Sequence, residues 1–333
     1  MRNILLLLAC SILIAGGIVS NAQTSVQAED AGTPDSTLDV IGYFSKNDTL
    51  VYVISQSRWR ISPEDTVMTA GVTTKVRLTV TDSTPDGYKM DYTFLEFKGD
   101  SVADAGLAGF RNTIVEKLGK KIVGTTVRFE TDEFGSITRF NNLGKIKRQA
   151  KSLFHAAMDE LAALPEIAAM KEYNIDIKAL TKDVDTDRLV DGYLEELKLL
   201  FLCHGQTFDI GRSHVHEDAT DSTYENDTYR AVALDSSDYT YSIRTDVVNY
   251  IPRSAIKDMV GGVVRLMDND SITASFNSGF DAQVTENSVY DSYYSADFLA
   301  HGWPYRIVNQ TTTTIAGSGK SQQTYIYLDY INY

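Results

Sequence analysis

Cysteine, tryptophan and proline are scarce in this chain. Its 333 residues include two cysteines, Cys10 and Cys203, two tryptophans and six prolines. Cys10 lies in a predicted leader, so the mature chain would keep Cys203 alone and could form no intramolecular disulfide. We therefore expect a hydrophobic core to stabilise the fold, and the length suffices for one large domain or two smaller ones.

Catalytic motifs are also missing from the sequence. It has no Gly-x-Ser-x-Gly elbow, no His-Glu-x-x-His zinc motif and no glycine-rich phosphate loop. Cys203 follows an apolar run, residues 200–202, which favours a buried structural thiol over an activated nucleophile. We therefore predict no catalytic residue, and a non-enzymatic role is favoured.

The chain also lacks clusters of positive charge. It has 31 Lys and Arg residues against 45 Asp and Glu residues, a formal net charge of −14, and the basic residues are scattered. Nucleic acids and anionic membranes are bound by clustered Lys and Arg. We therefore expect no nucleic-acid partner, and the negative charge indicates solubility.

The first 22 residues have the pattern of a secretory signal peptide. Arg2 precedes an uncharged apolar run from Ile4 to Ile14, and the small residue Ala22 suits cleavage directly after it. The Gly16-Gly17 pair interrupts the run before it reaches the ~20 apolar residues of a spanning helix. We predict export from the cytoplasm, with no transmembrane segment after cleavage.

Lipidation is the alternative fate of the leader. Leu7-Leu8-Ala9-Cys10 resembles the lipobox that precedes a lipidated cysteine. The next residues, 11–18, stay apolar, whereas a polar tether is expected there. Cleavage after Ala22 is our prediction, and lipidation at Cys10 is the alternative.

The chain divides into five predicted parts. They are a signal peptide (1–22), a disordered polar tether (23–37), a β-rich half with one helix (38–143), a helical connection (144–204) and a second β-rich half with one helix (205–333).

Alternation of apolar and polar residues dominates both β-rich halves. Val76, Leu78 and Val80 alternate with polar neighbours, which predicts a half-buried antiparallel strand, and residues 84–87 (Thr-Pro-Asp-Gly) predict a tight turn after it. Further strands are predicted over 88–94, 125–131, 136–140, 239–247, 305–315 and 324–332. The predicted fold class is α+β, mainly antiparallel sheet.

Helical periodicity marks four other segments. Helices are predicted over 102–118, over 146–164 with a stop at Pro165, over 189–201 with a stop at Gly205, and over 254–267.

The two halves resemble each other in sequence. Residues 80–83 followed by Tyr88 resemble residues 233–236 followed by Tyr239, and residues 133–136 loosely resemble residues 277–280. An internal duplication and shared turn chemistry both explain this pattern.

Two histidines are the candidate metal ligands. On a strand, His214 and His216 would project from one face about 7 Å apart, close enough for both imidazoles to bind one zinc ion. A third ligand is missing nearby, so two solvated histidines are the alternative. Zinc is the one cofactor that the sequence suggests.

Three aspartates have the spacing that begins a calcium loop. They are Asp183, Asp185 and Asp187. Arg188 and Leu194 stand where an EF-hand requires glycine and glutamate, so we interpret the aspartates as the capping region of a helix.

Aromatic residues are concentrated in one segment near the C-terminus. They are Tyr290, Tyr293, Tyr294, Phe298, Trp303 and Tyr305. Aromatic side chains bind lipids, glycans and proteins through a flat apolar surface with a polar edge, so this segment is the predicted ligand-binding site. Packing within a sheet core is the alternative.

Three short motifs support a family resemblance. Asn21-Ala22-Gln23, residues 42–52 and residues 131–137 resemble uncharacterised exported β-rich proteins of Bacteroidetes-type bacteria. This resemblance implies an envelope location, which would be the periplasm, the outer membrane or the medium of a Gram-negative bacterium. It identifies no functional residue.

The sequence thus supports three functional hypotheses. The first is a non-enzymatic exported protein that binds an apolar ligand or a protein partner on a concave sheet. The second is a metal-dependent hydrolase that uses His214 and His216, and the third is a structural component of a surface assembly.

Overall fold

The computed structural model describes residues 36–99, 119–162, 186–220, 223–265 and 284–332, with residues 274, 279, 280 and 282. The predicted leader, the tether up to residue 35 and the predicted helix over 102–118 lie outside these residues. None of the helices that the structure describes has the length and apolar character needed to cross a membrane.

The described chain contains thirteen strands. They are β1 (Thr37–Asp39), β2 (Thr49–Ile61), β3 (Thr66–Thr84), β4 (Gly87–Gly99), β5 (Thr126–Thr131), β6 (Ile137–Phe140), β7 (Thr207–Asp209), β8 (Gly211–Glu217), β9 (Glu225–Leu234), β10 (Tyr241–Ile251), β11 (Ser288–Phe298), β12 (Pro304–Ile315) and β13 (Ser318–Asn332). The helices are α1 (Leu143–Ala162) and α2 (Thr186–Leu200), between β6 and β7, and α3 (Arg253–Arg265), between β10 and β11.

Eleven strands form one antiparallel sheet in the order β6-β5-β4-β3-β2-β13-β12-β11-β10-β9-β8. β1 and β7 pair separately. Each predicted β-rich half contributes consecutive strands, and the pairing of β2 with β13 joins the halves. The prediction of an α+β fold with mainly antiparallel sheet is confirmed.

The predicted turn after β3 is present. β3 ends at Thr84 and β4 begins at Gly87, so Pro85 and Asp86 are the two connecting residues. Gly87 has a φ of 135°, a conformation that glycine adopts with little strain. Gly205, the predicted stop after α2, also has a positive φ of 76°.

α1 and α2 cover one face of the sheet, which we call the inner face. α2 buries Val190, Leu194, Leu197 and Leu200, whose spacing gives one apolar stripe. Leu197 and Leu200 were predicted for this stripe, whereas the side chains of residues 189 and 193 lie outside the description. α1 packs its residues 143, 146 and 150 against the same core.

The main hydrophobic core lies at one end of the strands. Tyr52, Leu78 and Tyr92 are essentially inaccessible there, whereas the opposite ends of the same strands carry half-buried and exposed residues. Phe44, from the segment before β2, stacks on Trp303 with ring centroids 3.7 Å apart. The inner face is therefore fully packed over part of its length.

The two sequence similarities between the halves fall differently on the fold. Residues 80–83 and 233–236 lie at equivalent places, where β3 leads to β4 and where β9 leads to β10. Residues 133–136 connect β5 to β6, whereas Gly279 and Phe280 fall between α3 and β11. Only the first correspondence therefore matches the order of strands.

Candidate functional site

Inner-face residues form rows across the sheet because the strand register places them opposite one another. One buried apolar row consists of Ile54, Ile326, Ile307, Ala296, Ile243 and Val232. The next row consists of Gln56, Thr324, Asn309, Tyr294, Thr245 and Arg230. The inner face thus changes from apolar to polar within one row.

A second apolar cluster lies at the opposite end of the inner face. Ile256 of α3 packs with Phe280 and Val284, and Ile251 and Ile315 at the ends of β10 and β12 pack against them. Along β10 this cluster begins roughly 26 Å from the apolar row, at about 3.3 Å per residue. The two apolar clusters therefore bound a stretch of sheet between them.

We call the residues of this stretch on β10, β11 and β12 the inner band. They are Thr245, Val247, Asn249, Tyr290, Ser292, Asn309, Thr311 and Thr313, and all are half-buried. Their side chains present hydroxyl and amide groups with interspersed apolar surface. This mixture suits contact with an amphipathic molecule.

A buried carboxyl group lies where the packed core meets the polar row. Gln56 Nε2 donates a hydrogen bond to Glu196 Oε1 of α2 at 2.8 Å, and Glu196 is 7% exposed. Burial raises the pKa of Glu196 to about 8, so the side chain is mainly protonated at neutral pH.

The hydroxyl of Tyr92 shares this environment. Burial raises its pKa, and the nearby Glu196 raises it further. Among the described residues, neither Tyr92 Oη nor Glu196 Oε2 has a hydrogen-bond partner. An unpaired buried polar group costs about 1–3 kcal/mol, so these two oxygen atoms lower the stability of the packing around Glu196.

Cys203 is buried beside this region, as predicted. Its Sγ lies 3.6 Å from Tyr294 Oη, which donates to the carbonyl of Leu199 at 3.4 Å. Burial raises the pKa of Cys203 to about 11, so the thiol stays protonated. The prediction that this thiol is buried is confirmed.

The six predicted aromatic ligand-binding residues do not form one surface. Tyr290, Tyr294 and Phe298 follow one another along the inner face of β11, and their exposure falls from half-buried to 1%. Trp303 is fully buried in the core. Tyr293 points to the outer face of β11, because its neighbours in sequence point inward, and Tyr305 lies at a bulge in β12 and is 37% exposed. Tyr290 and Tyr294 are therefore the members that adjoin the inner band.

The predicted histidine pair forms on the outer face of the edge strand. His214 and His216 project from the same face of β8, as predicted. His214 Nε2 lies 2.8 Å and His216 Nδ1 lies 3.0 Å from Asp227 Oδ1. Tyr250 Oη donates to Asp227 Oδ2 at 2.9 Å. These three side chains hold the Asp227 carboxylate between them.

The electrostatics of this histidine cluster follow from its hydrogen bonds. Hydrogen bonds from His214, His216 and Tyr250 lower the pKa of Asp227 to about 2. The carboxylate in turn raises the pKa of His216. His214 stacks on Tyr229, with centroids 4.4 Å apart. The cluster is thus a charge-stabilised contact between β8, β9 and β10.

Two further carboxyl groups lie on the outer face, on β10 and β11. Burial and the adjacent Asp246 raise the pKa of Asp291 to about 6. Asp291 therefore becomes protonated at a higher pH than an ordinary aspartate does.

The arrangement of the described side chains also bears on metal binding. Within the described ranges, no group of three or more His, Cys, Asp or Glu side chains is placed to hold a metal ion. Zinc at His214 and His216 remains a prediction from sequence. Of the three aspartates interpreted as a helix-capping region, Asp183 and Asp185 lie outside the described residues, and Asp187 lies in the first turn of α2.

Asp227 and Glu196 are the polar residues of these sites that sequence reasoning missed. Asp227 lies eleven residues after His216 and becomes its neighbour through the β8–β9 hairpin. The antiparallel register of this hairpin, which pairs His216 with Asp227, is the signal that indicates the contact. Glu196 and Gln56 are 140 residues apart, and no local pattern indicates their contact.

Comparisons with known proteins give a distant structural likeness. No family model and no curated protein matches the chain. A solved structure described as lipid-protein interactions in lipovitellin is similar, with 10% sequence identity and a TM-score of 0.42. The match covers 87% of this chain and 26% of that one, so the chain spans about a quarter of the lipovitellin chain. At this level of similarity, no property of lipovitellin is transferred to this chain.

Proposed function

We propose that this chain is an exported, non-enzymatic binding protein that holds an amphipathic ligand on the inner band. The supporting observation is the position of the inner band between the two apolar clusters of the inner face. One cluster packs against α1 and α2, the other contains Ile256 of α3 with Phe280 and Val284, and the half-buried inner band lies between them.

The composition of the inner band supports an amphipathic ligand rather than a purely apolar one. The apolar row is already covered by the chain's own α2 and by core residues such as Phe44 and Trp303. Val247 and the ring of Tyr290 offer apolar contact in the inner band, while Ser292 and Thr311 offer hydrogen bonds. Binding sites commonly combine apolar walls with a few polar groups that orient the ligand.

The leader supports the exported location. A ligand-binding protein of the cell envelope would meet amphipathic molecules there, in agreement with the location that the sequence resemblance implies. The sequence left lipids, glycans and proteins as candidate partners. Of these three classes, we propose a lipid-like molecule.

Two neighbouring threonines on β12 test the proposal. Thr311 faces inward and Thr312 faces outward, where it contacts Ser321 Oγ at 3.0 Å. Isothermal titration calorimetry with dodecyldimethylamine N-oxide, whose head has no net charge, measures binding. Thr311→Trp should weaken binding by about tenfold or more by filling the inner band, and Thr312→Trp should change it by less than about twofold.

Equal losses in both variants, or no loss in Thr311→Trp, would contradict the proposal. Circular dichroism of both variants checks that the sheet is retained, so a folding defect is distinguished from a filled site.

A further inference from the structure

Three cations lie together on the inner face, near the end of β2 and the beginning of β13. Arg60 stands directly opposite Lys320, and Arg58 stands opposite Gln322, two residues along the same strands. Arg58 and Arg60 lie four and six residues after the inward-facing Ile54 on β2, and Lys320 lies six residues before the inward-facing Ile326 on β13, so all three point to the inner face. All three side chains are exposed. We call Arg58, Arg60 and Lys320 the inner cation group.

The inner cation group is unusual because like charges face each other. Like charges that are directly opposite on neighbouring strands destabilise a sheet. Within the described part of the chain, no carboxylate forms an ion pair with Arg60 or Lys320, although acidic residues outnumber basic ones. On the outer face, by contrast, Lys75 pairs with Asp329 at 2.7 Å.

The inner cation group is continuous with the inner band. Lys320 pairs with Thr313 and Gln322 pairs with Thr311 across the β12–β13 register. From β2 to β10 there are four strand spacings, about 19 Å at ~4.8 Å each. A ligand whose head group binds beside β2 and β13 could therefore extend its chain across β12 and β11 toward β10.

We propose that the inner cation group binds the anionic head, a phosphate or a carboxylate, of the ligand whose chain occupies the inner band. This inference rests on the proposed function and names the class of its ligand. The guanidinium groups offer paired donors that match the oxygens of such a head, and the hydroxyl of Thr313 and the amide of Gln322 lie on the same face beside them. The anion also relieves the repulsion between Arg60 and Lys320.

A charge-matched pair of variants tests the inference. Arg60→Gln with Lys320→Gln removes two inner cations, and Arg77→Gln with Arg212→Gln removes two exposed cations from the outer face. The probes are dodecyl phosphate, dodecyldimethylamine N-oxide and inorganic phosphate, each titrated by calorimetry below its micelle concentration.

The inner double variant should bind dodecyl phosphate about tenfold or more weakly than the unchanged chain, with binding of the N-oxide nearly unaltered. The outer double variant should bind both amphiphiles like the unchanged chain. Inorganic phosphate should bind far more weakly than dodecyl phosphate, because it has no chain to occupy the inner band.

Three outcomes overturn the inference. Equal weakening of both amphiphiles by the inner double variant would show that the cations do not recognise the head. Inorganic phosphate bound as tightly as dodecyl phosphate would indicate a site for a free anion instead. Equal weakening by the two double variants would indicate a general effect of net charge. A failure of both amphiphiles to bind the unchanged chain would instead contradict the proposed function itself.

Discussion

Gln56 of β2 donates its amide hydrogen bond to Oε1 of Glu196 in α2, at 2.8 Å. This contact connects the sheet to the helix that covers it, at the point where the inner face turns from apolar to polar. It places an ionisable group in a setting that favours the neutral form.

The stability of the protein should therefore depend on the protonation of Glu196. Its pKa is about 8 in the folded chain and near 4.5 without burial, so between these pH values the folded state holds a proton that the unfolded state has released. The contribution is fully present below pH 4.5 and is lost as the pH rises through about 8. The slope approaches about 1.4 kcal/mol per pH unit.

Urea unfolding at several pH values between 5 and 9 checks this. Glu196→Gln keeps the hydrogen bond and should remove this fall in the free energy of unfolding, while Glu133→Gln at an exposed turn should not. Parallel pH profiles for the unchanged chain and Glu196→Gln would show that the carboxyl is not buried in the neutral form.

The contact between Phe44 and Trp303 should carry a large share of core stability. Trp303 is fully buried and stacks on Phe44, with an edge contact to Phe201. Trp303→Ala should lower the free energy of unfolding by about 3–5 kcal/mol, because it leaves a large cavity. Tyr305→Ala, at a 37% exposed residue, should cost far less, and a similar loss in both variants would argue against this packing.

Much of the local structure follows from local sequence patterns. The alternation of Val76, Leu78 and Val80 predicts β3, the turn over residues 84–87 is fixed by Gly87, and the periodicity over residues 189–201 predicts α2. Each of these depends on residues within one element or one turn. Their physical causes, side-chain periodicity and backbone freedom, are visible in the sequence itself.

Relationships between distant strands could not be predicted in the same way. The pairing of β2 with β13 places Arg60 opposite Lys320, residues that are far apart in the chain. Likewise, the aromatic concentration near the C-terminus is a correct observation, but the alternation of β11 sends Tyr293 outward and Tyr294 inward. The helices determine which face of the sheet is covered. The face to which a side chain points therefore determines what it contacts.

Cys203 should be almost unreactive in the folded protein. It is 4% exposed, and burial raises its pKa to about 11, so little thiolate is present near pH 8. A chromogenic disulfide reagent at pH 8 should react slowly with the native chain and immediately after denaturation. Rapid reaction of the native chain would contradict the burial of this thiol.

The histidine cluster makes a prediction that proton NMR can check. Asp227 raises the pKa of His216, so Asp227→Asn should return the His216 titration toward that of an ordinary histidine. Because the raised pKa of His216 belongs to the folded state, the stabilisation from this pair is lost as the pH rises through that pKa. It is also lost as the pH falls through about 2, where Asp227 becomes protonated. An unchanged titration in Asp227→Asn would contradict the hydrogen bond.

Metal analysis of the purified chain and of its His214→Ala variant tests the hypothesis of a metal-dependent hydrolase. Stoichiometric zinc in the purified chain that disappears in His214→Ala would favour the hydrolase hypothesis over the binding function proposed here.

The central claim is that the inner band is where the ligand lies, and site-specific fluorescence tests it most directly. In the chain expressed without residues 1–22, which contain Cys10, Thr311→Cys and Thr312→Cys place a single accessible thiol on opposite faces of β12, since Cys203 is buried. Each is labelled with an environment-sensitive naphthalene dye and titrated with dodecyldimethylamine N-oxide below its micelle concentration. We predict a saturable blue shift of the dye at position 311 and no shift at position 312. The same shift at both positions, or none at position 311, would contradict a ligand on the inner band.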